Sequence, residues 1–174
     1  MNKCKMLGAL TAALLIAAVS SVAVGQDHAT AQEVVAKVRE AASTLSKTGD
    51  VAQFDQKQGP WVWKDTYIFI YDCDKKVMAA HPIKPEMIGQ DISSIKDAKS
   101  GKVIIPDAAA FCKMVQDSPS GVWKEFWWPK PSEKEPSRKV AYYLSAKGTP
   151  YLVIAGVYDG KITIAEASKL SSKK

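Results

Sequence analysis

At 174 residues, with 47% hydrophobic and 24% charged side chains, the chain has room for one ordinary globular domain. A net charge of +6, with the basic residues interspersed among acids except in a short tail at Lys169, Lys173 and Lys174, argues against a nucleic-acid partner. The three cysteines form no Cys-x-x-Cys pair, haem attachment site or zinc spacing.

The first residues read as an export signal. Lys3 and Lys5 precede an apolar run from Met6 to Val19, and Ser20 to Gly25 supplies small residues for a signal peptidase. The expectation is a signal peptide over 1–25, a single domain over 26–174, and a periplasmic or secreted location. An uncleaved anchor is the lesser reading, since the run is short for a spanning helix. Cleavage removes Lys3 and Lys5 from the 24 basic residues, leaving 22 against 18 acidic ones.

In chain order, Val34, Val35, Val38, Ala41, Ala42 and Leu45 recur at three and four and predict a helix over Ala29–Ser46, ended by Thr48, Gly49 and Asp50. Its stripe can pack on its own domain or on the same helix of a second copy. Asp50 is expected to cap a short second helix through Phe54 before Gly59-Pro60 breaks the chain. Asp65–Asp74 is rich in aromatic and branched residues and predicts a strand, with Tyr67, Phe69, Tyr71 and Cys73 on one face and Ile68 and Ile70 on the other. A turn at Asp74-Lys75-Lys76 returns the chain as a second strand, Val77–His81. Pro82–Asp97 reads as a loop with one helical turn at Met87.

A helix carrying Ala109, Phe111, Cys112 and Val115 follows Ile105-Pro106, with Asp107 in its first turn. The stretch from Gly121 to Pro131, GVWKEFWWPKP, is the next strand; both of its faces carry aromatic bulk, so it is either a core strand or a cavity wall. Ser132–Arg138 is a charged loop, and Lys139–Ser145 and Tyr151–Tyr158 are strands, the last in a central, doubly covered position. A short helix over Ile162–Leu170 closes the chain. The order predicts an α+β fold: a five-stranded antiparallel sheet with a long N-terminal helix and short packing helices. Cys73 and Cys112 are either bridged, closing a loop of about forty residues, or two buried thiols.

Catalytic chemistry has little to work with. The only histidines are His28 and His81, and there is no phosphate loop or nucleophile elbow. Asp72 and Asp74 near His81 are explained by turn chemistry more readily than by a metal. No enzyme activity, metal or cofactor is expected. A small binding pocket is better supported: Tyr67, Phe69, Trp123, Trp128, Tyr142 and Tyr158 supply walls, and Lys139, Arg138 or His81 can hold an anionic end.

The succession YIFIYDCDKKVMAAHP, an Ile-Gly-Gln-Asp-Ile segment, GVWKEFWWPKP, EKEPSRKVAYYL and YLVIAGVYDG resembles the single Cache domain, the extracytoplasmic sensor of bacterial chemoreceptors and sensor kinases. The resemblance covers about residues 32–160. It implies a PAS-like fold whose sheet and overlying loop hold a small ligand, often a short carboxylate such as acetate, propionate, lactate or pyruvate. It also implies ligand contacts at Tyr67, Phe69, His81, Trp123, Trp128, Lys139 and Tyr142, with Lys139 or His81 on the carboxylate. Lys139 and Tyr142 differ by an odd number of residues, as do Trp123 and Trp128, so a regular strand cannot aim both members of either pair into one pocket. With no spanning segment before Lys174, signalling is expected to pass through a separate membrane sensor kinase, chemoreceptor or transporter, by a monomer or a homodimer joined through the N-terminal helix. The alternative is a periplasmic metabolite-binding or protein-interaction module with no signalling role of its own.

Overall fold

The computed structural model describes residues 28–173; the expected export signal over 1–25 lies outside them. Helix α1, Ala31–Thr48, begins at a capping box in which Thr30 and Glu33 satisfy each other's backbone N–H, and ends at Gly49, whose φ of 65° suits glycine. Its stripe of Val34, Val35, Val38, Ala41 and Leu45 is buried on the chain's own sheet and on helix α3, Ile164–Ser171. Of the two packings open to that stripe, it takes the one on its own domain.

The predicted first strand, Asp65–Asp74, is broken into two, and a further short strand precedes it. Strands β1, Val62–Trp63, and β2, Thr66–Tyr67, form a small hairpin around Lys64 (φ 48°), and the Ile68 N–H turns aside to donate to the Trp61 carbonyl. Strand β3, Phe69–Asp72, then joins the main sheet with β4, Val77–Ala80. Helix α2, Ala108–Gln116, follows, with Asp107 as its N-cap, one position earlier than expected, accepting from the Ala110 N–H. Strands β5, Val122–Pro129, β6, Pro136–Ser145, and β7, Tyr151–Val157, complete the sheet. Strand β6 starts three residues earlier than predicted because Pro136, Ser137 and Arg138 continue the ladder against Pro129, Trp128 and Trp127.

The sheet is antiparallel throughout, in the order β4-β3-β7-β6-β5. The central place of β7 explains its unbroken apolar run, since both of its faces are covered. Helices α1 and α3 cover one face, over Ile70, Val140, Tyr142, Val153 and Ala155. On the other face lies a long irregular strap, residues 81–107, followed by α2.

The strap is more ordered than its sequence suggests. Short 3-10 turns at Pro85–Met87 and Ile92–Ser94 punctuate it, and Met87, Ile92, Ile95, Ile104 and Ile105 are buried beneath it. Each such side chain contributes about 1.5–3 kcal/mol of apolar burial. At one sheet edge the strap bonds to β4 through Met78 N–H to Gln90 and Gly89 N–H to Met78. At the other edge, Asp97 Oδ2 accepts from the Trp127 N–H at 2.7 Å, and the Ala98 N–H donates to the Trp127 carbonyl. A disulfide between Cys73 and Cys112 ties the end of β3 to α2. Strap, helix and sheet face thus close around an interior space.

Candidate functional site

Between the strap and the sheet lies a partly enclosed cavity with about 20 Å³ open to the centre of a water-sized sphere. One water molecule takes up most of that space, so a ligand of a few heavy atoms is admitted only as the lining side chains move apart. Its walls come from period-two positions of the strands: Tyr67, Phe69 and Tyr71 on β2 and β3, Phe126 and Trp128 on β5, and Lys139 and Tyr143 on β6. Met78, Met87, Ile95 and Ile104 close the apolar side.

Lys139 is the side chain that sets the chemistry. It is 1% exposed, and its ammonium lies 4.3 Å from the Tyr67 ring centre, 5.2 Å from Phe69 and 5.1 Å from Tyr158. These aromatic faces solvate a cation partially. Among the described residues, no carboxylate is within ion-pair distance of it. Asp65, the acid that attracts it, is committed to the Ala29 N–H and the His28 ring at 2.8 Å each. Burial therefore pulls the Lys139 amine down from 10.5 to about 7, with Asp65 opposing the shift and Lys84 adding to it. The aliphatic stem reaches this position by crossing β7 at Gly156: a Cβ there would come within 2.6 Å of Lys139 Cε and 2.8 Å of Cγ. Glycine is required at that crossing for lack of space, not for its backbone angles.

His81, 2% exposed, follows β4 and is the second polar group. Its Nδ1 accepts from the Lys84 N–H at 2.9 Å, so the ring proton is on Nε2, which is the ring's remaining donor. Burial, then the charges of Lys139 and Lys84, push its pKa down to about 3, so the imidazole stays neutral in ordinary conditions. Burial also raises the hydroxyls of Tyr67, Tyr71 and Tyr143, leaving them protonated. The lining thus offers an amine, an imidazole N–H and phenolic hydroxyls, and no carboxylate. Such a set is matched to an anion carrying a short apolar part.

The five-stranded antiparallel sheet and its packing helices agree with what comparison finds. The model of the family described as the Cache domain matches residues 62–163, more than half of the chain. The chain belongs to that family. The methyl-accepting chemotaxis protein McpP of Pseudomonas putida is 31% identical over 120 residues, 68% of this chain. The aligned part is 21% of McpP, so the chain spans about a fifth of that relative's length. A Cache chemosensory domain, solved for the structural basis of its carboxylic acid recognition, superposes at a TM-score of 0.51 and 25% identity, over 73% of this chain and 87% of that one. A methyl-accepting chemotaxis protein from Vibrio parahaemolyticus shares the fold at a TM-score of 0.52 and 20% identity, over 75% and 84% of the two chains. So does the periplasmic sensor domain of a chemotaxis protein, at 0.51 and 19%, over 74% and 89%.

In this Cache domain the seven residues singled out from sequence divide by strand parity. Tyr67, Phe69, His81, Trp128 and Lys139 come together at the cavity. Trp123 and Tyr142 do not: they lie on the helix-covered face, stacked on each other at 4.9 Å. The Trp123 indole donates to Ser171 Oγ on α3, and the Tyr142 hydroxyl to the Ser120 carbonyl. Both are core groups, because the strand's alternation turns them away from Lys139 and Trp128. Arg138 also serves structure, pairing with Glu125 and donating to the carbonyls of Asp159 and Ile162. Phe126, which the resemblance places on the aromatic strand without a ligand role, also lines the cavity, as do Tyr71, Met78 and Tyr143; Tyr143 and Phe126 follow from period-two spacing, Tyr143 four residues beyond Lys139 and Phe126 two before Trp128. The strap residues Met87, Ile95 and Ile104 carry no periodic signal. Among the described residues, no helix is long and apolar enough to cross a membrane.

Proposed function

We propose that this protein is an exported sensor for a short-chain monocarboxylate. The carboxylate is held by Lys139 Nζ and His81 Nε2–H, and its short carbon tail lies against Phe126, Trp128 and the strap's methionines and isoleucines. One observation carries the reading: a wholly buried lysine with no acid partner among the described residues faces a small cavity whose other polar groups can all donate. A buried cation without a counter-charge is unfavourable, and a ligand that supplies the charge is bound by relieving it. The carboxylic acid recognition of the solved Cache domain at 25% identity supports the same ligand class.

The small cavity favours a short carbon chain, and among the described residues Lys139 is the only ammonium in its lining, which favours one carboxylate over two. The basic, apolar and small-residue start of the sequence supports a place outside the cytoplasm. A thermal-shift screen of the purified protein against acetate, propionate, lactate, pyruvate, succinate and malate tests the reading. A monocarboxylate at about 100 times its Kd adds about 2.7 kcal/mol, which is about 5–10 °C for a domain of this size. Succinate and malate are expected to give no shift. A screen in which no monocarboxylate moves the transition, or in which the dicarboxylates move it most, refutes the proposal.

A further inference from the structure

We infer that the ligand enters this cavity together with a proton, so that the sensor's affinity falls as its surroundings become alkaline. This rests on the carboxylate reading and adds a second input to the same site.

The groups that face Lys139 can be taken element by element. Strand β2 presents the Tyr67 ring, β3 the Phe69 ring, and the residue after β7 the Tyr158 ring. Phe126 is its cross-strand partner on β5, and Gly156 lies beneath its stem on β7. The hydroxyls of Tyr67 and Tyr158 are both held protonated, mainly by burial, so neither supplies a negative charge. The strap contributes His81, which is neutral, and Lys84, which is repulsive and has its own ammonium 4.6 Å over the Trp128 ring. The turn between β1 and β2 contributes Asp65, attractive but bound to Ala29 and His28.

With those partners the empty site leaves the Lys139 amine near the midpoint of its titration at pH 7. A bound carboxylate adds the missing negative charge at contact, which favours the ammonium and draws in a proton. Simple carboxylic acids are already ionised between pH 6 and 9, so the proton comes from solvent and adds to the amine nitrogen; no other bond forms or breaks. Above pH 7 each bound ligand takes up close to one proton, and the Kd rises about tenfold per pH unit. Below pH 7 the amine is already charged and affinity levels off.

Isothermal titration of the purified protein with propionate at pH 8, in buffers of different ionisation enthalpy, reads the proton directly. The observed enthalpy should vary with buffer ionisation enthalpy at a slope approaching one proton per site, and at pH 6 the slope should fall towards zero. In ¹³C-lysine-labelled protein, the Lys139 Cε resonance, assigned by its loss in Lys139→Met, should move to the ammonium position on adding propionate at pH 8. Binding with no buffer dependence at pH 8 and a constant Kd from pH 6 to 9 overturns the inference while leaving the carboxylate reading intact. Proton uptake with an unmoved Lys139 resonance overturns its assignment to this residue. No heat with propionate, acetate, lactate or pyruvate at any pH overturns both readings.

Discussion

Replacing Lys139 with methionine should do two opposite things: abolish carboxylate binding and stabilise the empty domain. Methionine fills the volume of the lysine stem across Gly156 while removing the amine from a buried, unpaired position. The gap between 10.5 and about 7, at about 1.4 kcal/mol per pH unit, sets a ceiling of about 5 kcal/mol on what burying this amine costs the native state. The folded pKa lies below the unfolded one, so between these values the unfolded chain binds the extra proton and wild-type stability rises with pH. Below pH 7 both states are protonated and the penalty is fully present. The advantage of Lys139→Met should therefore be largest at pH 7 and below, shrink to about 2 kcal/mol at pH 9, and vanish near pH 10.5. Even half the ceiling raises the Tm by about 5–10 °C. Thermal and urea unfolding of both proteins at pH 6, 7, 8 and 9, without added carboxylate, measures the difference. A variant less stable than wild type at pH 7, or a difference that does not change with pH, refutes the claim that Lys139 is buried without a counter-charge.

Gly156→Ala should push the Lys139 stem off β7, lowering stability by about 1–3 kcal/mol and weakening carboxylate affinity, as read by urea unfolding and calorimetry. Tyr142→Phe, which removes the hydroxyl that donates to the Ser120 carbonyl and meets Arg39, should cost about 1 kcal/mol and leave ligand affinity unchanged; a large loss of affinity would move Tyr142 back into the site. Asp97→Ala removes the acceptor for the Trp127, Lys99 and Ser100 N–H groups and should raise hydrogen exchange across residues 82–105. The Asp97 carboxyl is held below its usual range: burial raises it, but the bonds from Ser100, Trp127 and Lys99 outweigh that. Its contribution is present above the ordinary carboxylate pKa and is lost as pH falls through the lowered one, so acid should loosen the strap in the wild type as the variant does at neutral pH. Cys73→Ser with Cys112→Ser opens a loop of 39 residues and should lower stability by up to about 4 kcal/mol, seen as a shift of the urea midpoint.

Alternation along the strands made much of this legible in advance. The separation of Tyr67 and Phe69 from Ile68 and Ile70, and the conflict between Lys139 and Tyr142, are consequences of a two-residue period and reappear as the two faces of the sheet. Alternation does not say which face meets helices and which meets the strap, because both are apolar and aromatic. Trp123 and Trp128 are chemically alike, and only the register of β5 against β6, with Trp123 opposite Tyr142 and Phe126 opposite Lys139, separates core from cavity. The strap was harder still. Its order comes from backbone bonds to two distant strands and from isolated isoleucines, neither of which leaves a periodic trace. The break at Lys64 was also hidden, since a lysine with positive φ is held there by the hairpin and not by its own preference. The role of Gly156 depends on a side chain seventeen residues earlier on the neighbouring strand, so it emerges only from the fold.

The most direct test of the central claim is a crystal structure of the protein grown with propionate. The account predicts one propionate between the strap and the sheet, a carboxylate oxygen within hydrogen-bond distance of Lys139 Nζ and another near His81 Nε2, and the ethyl group against Phe126 and Trp128. Propionate bound elsewhere, or a cavity holding only water while Lys139 finds an acid of its own chain, would contradict it.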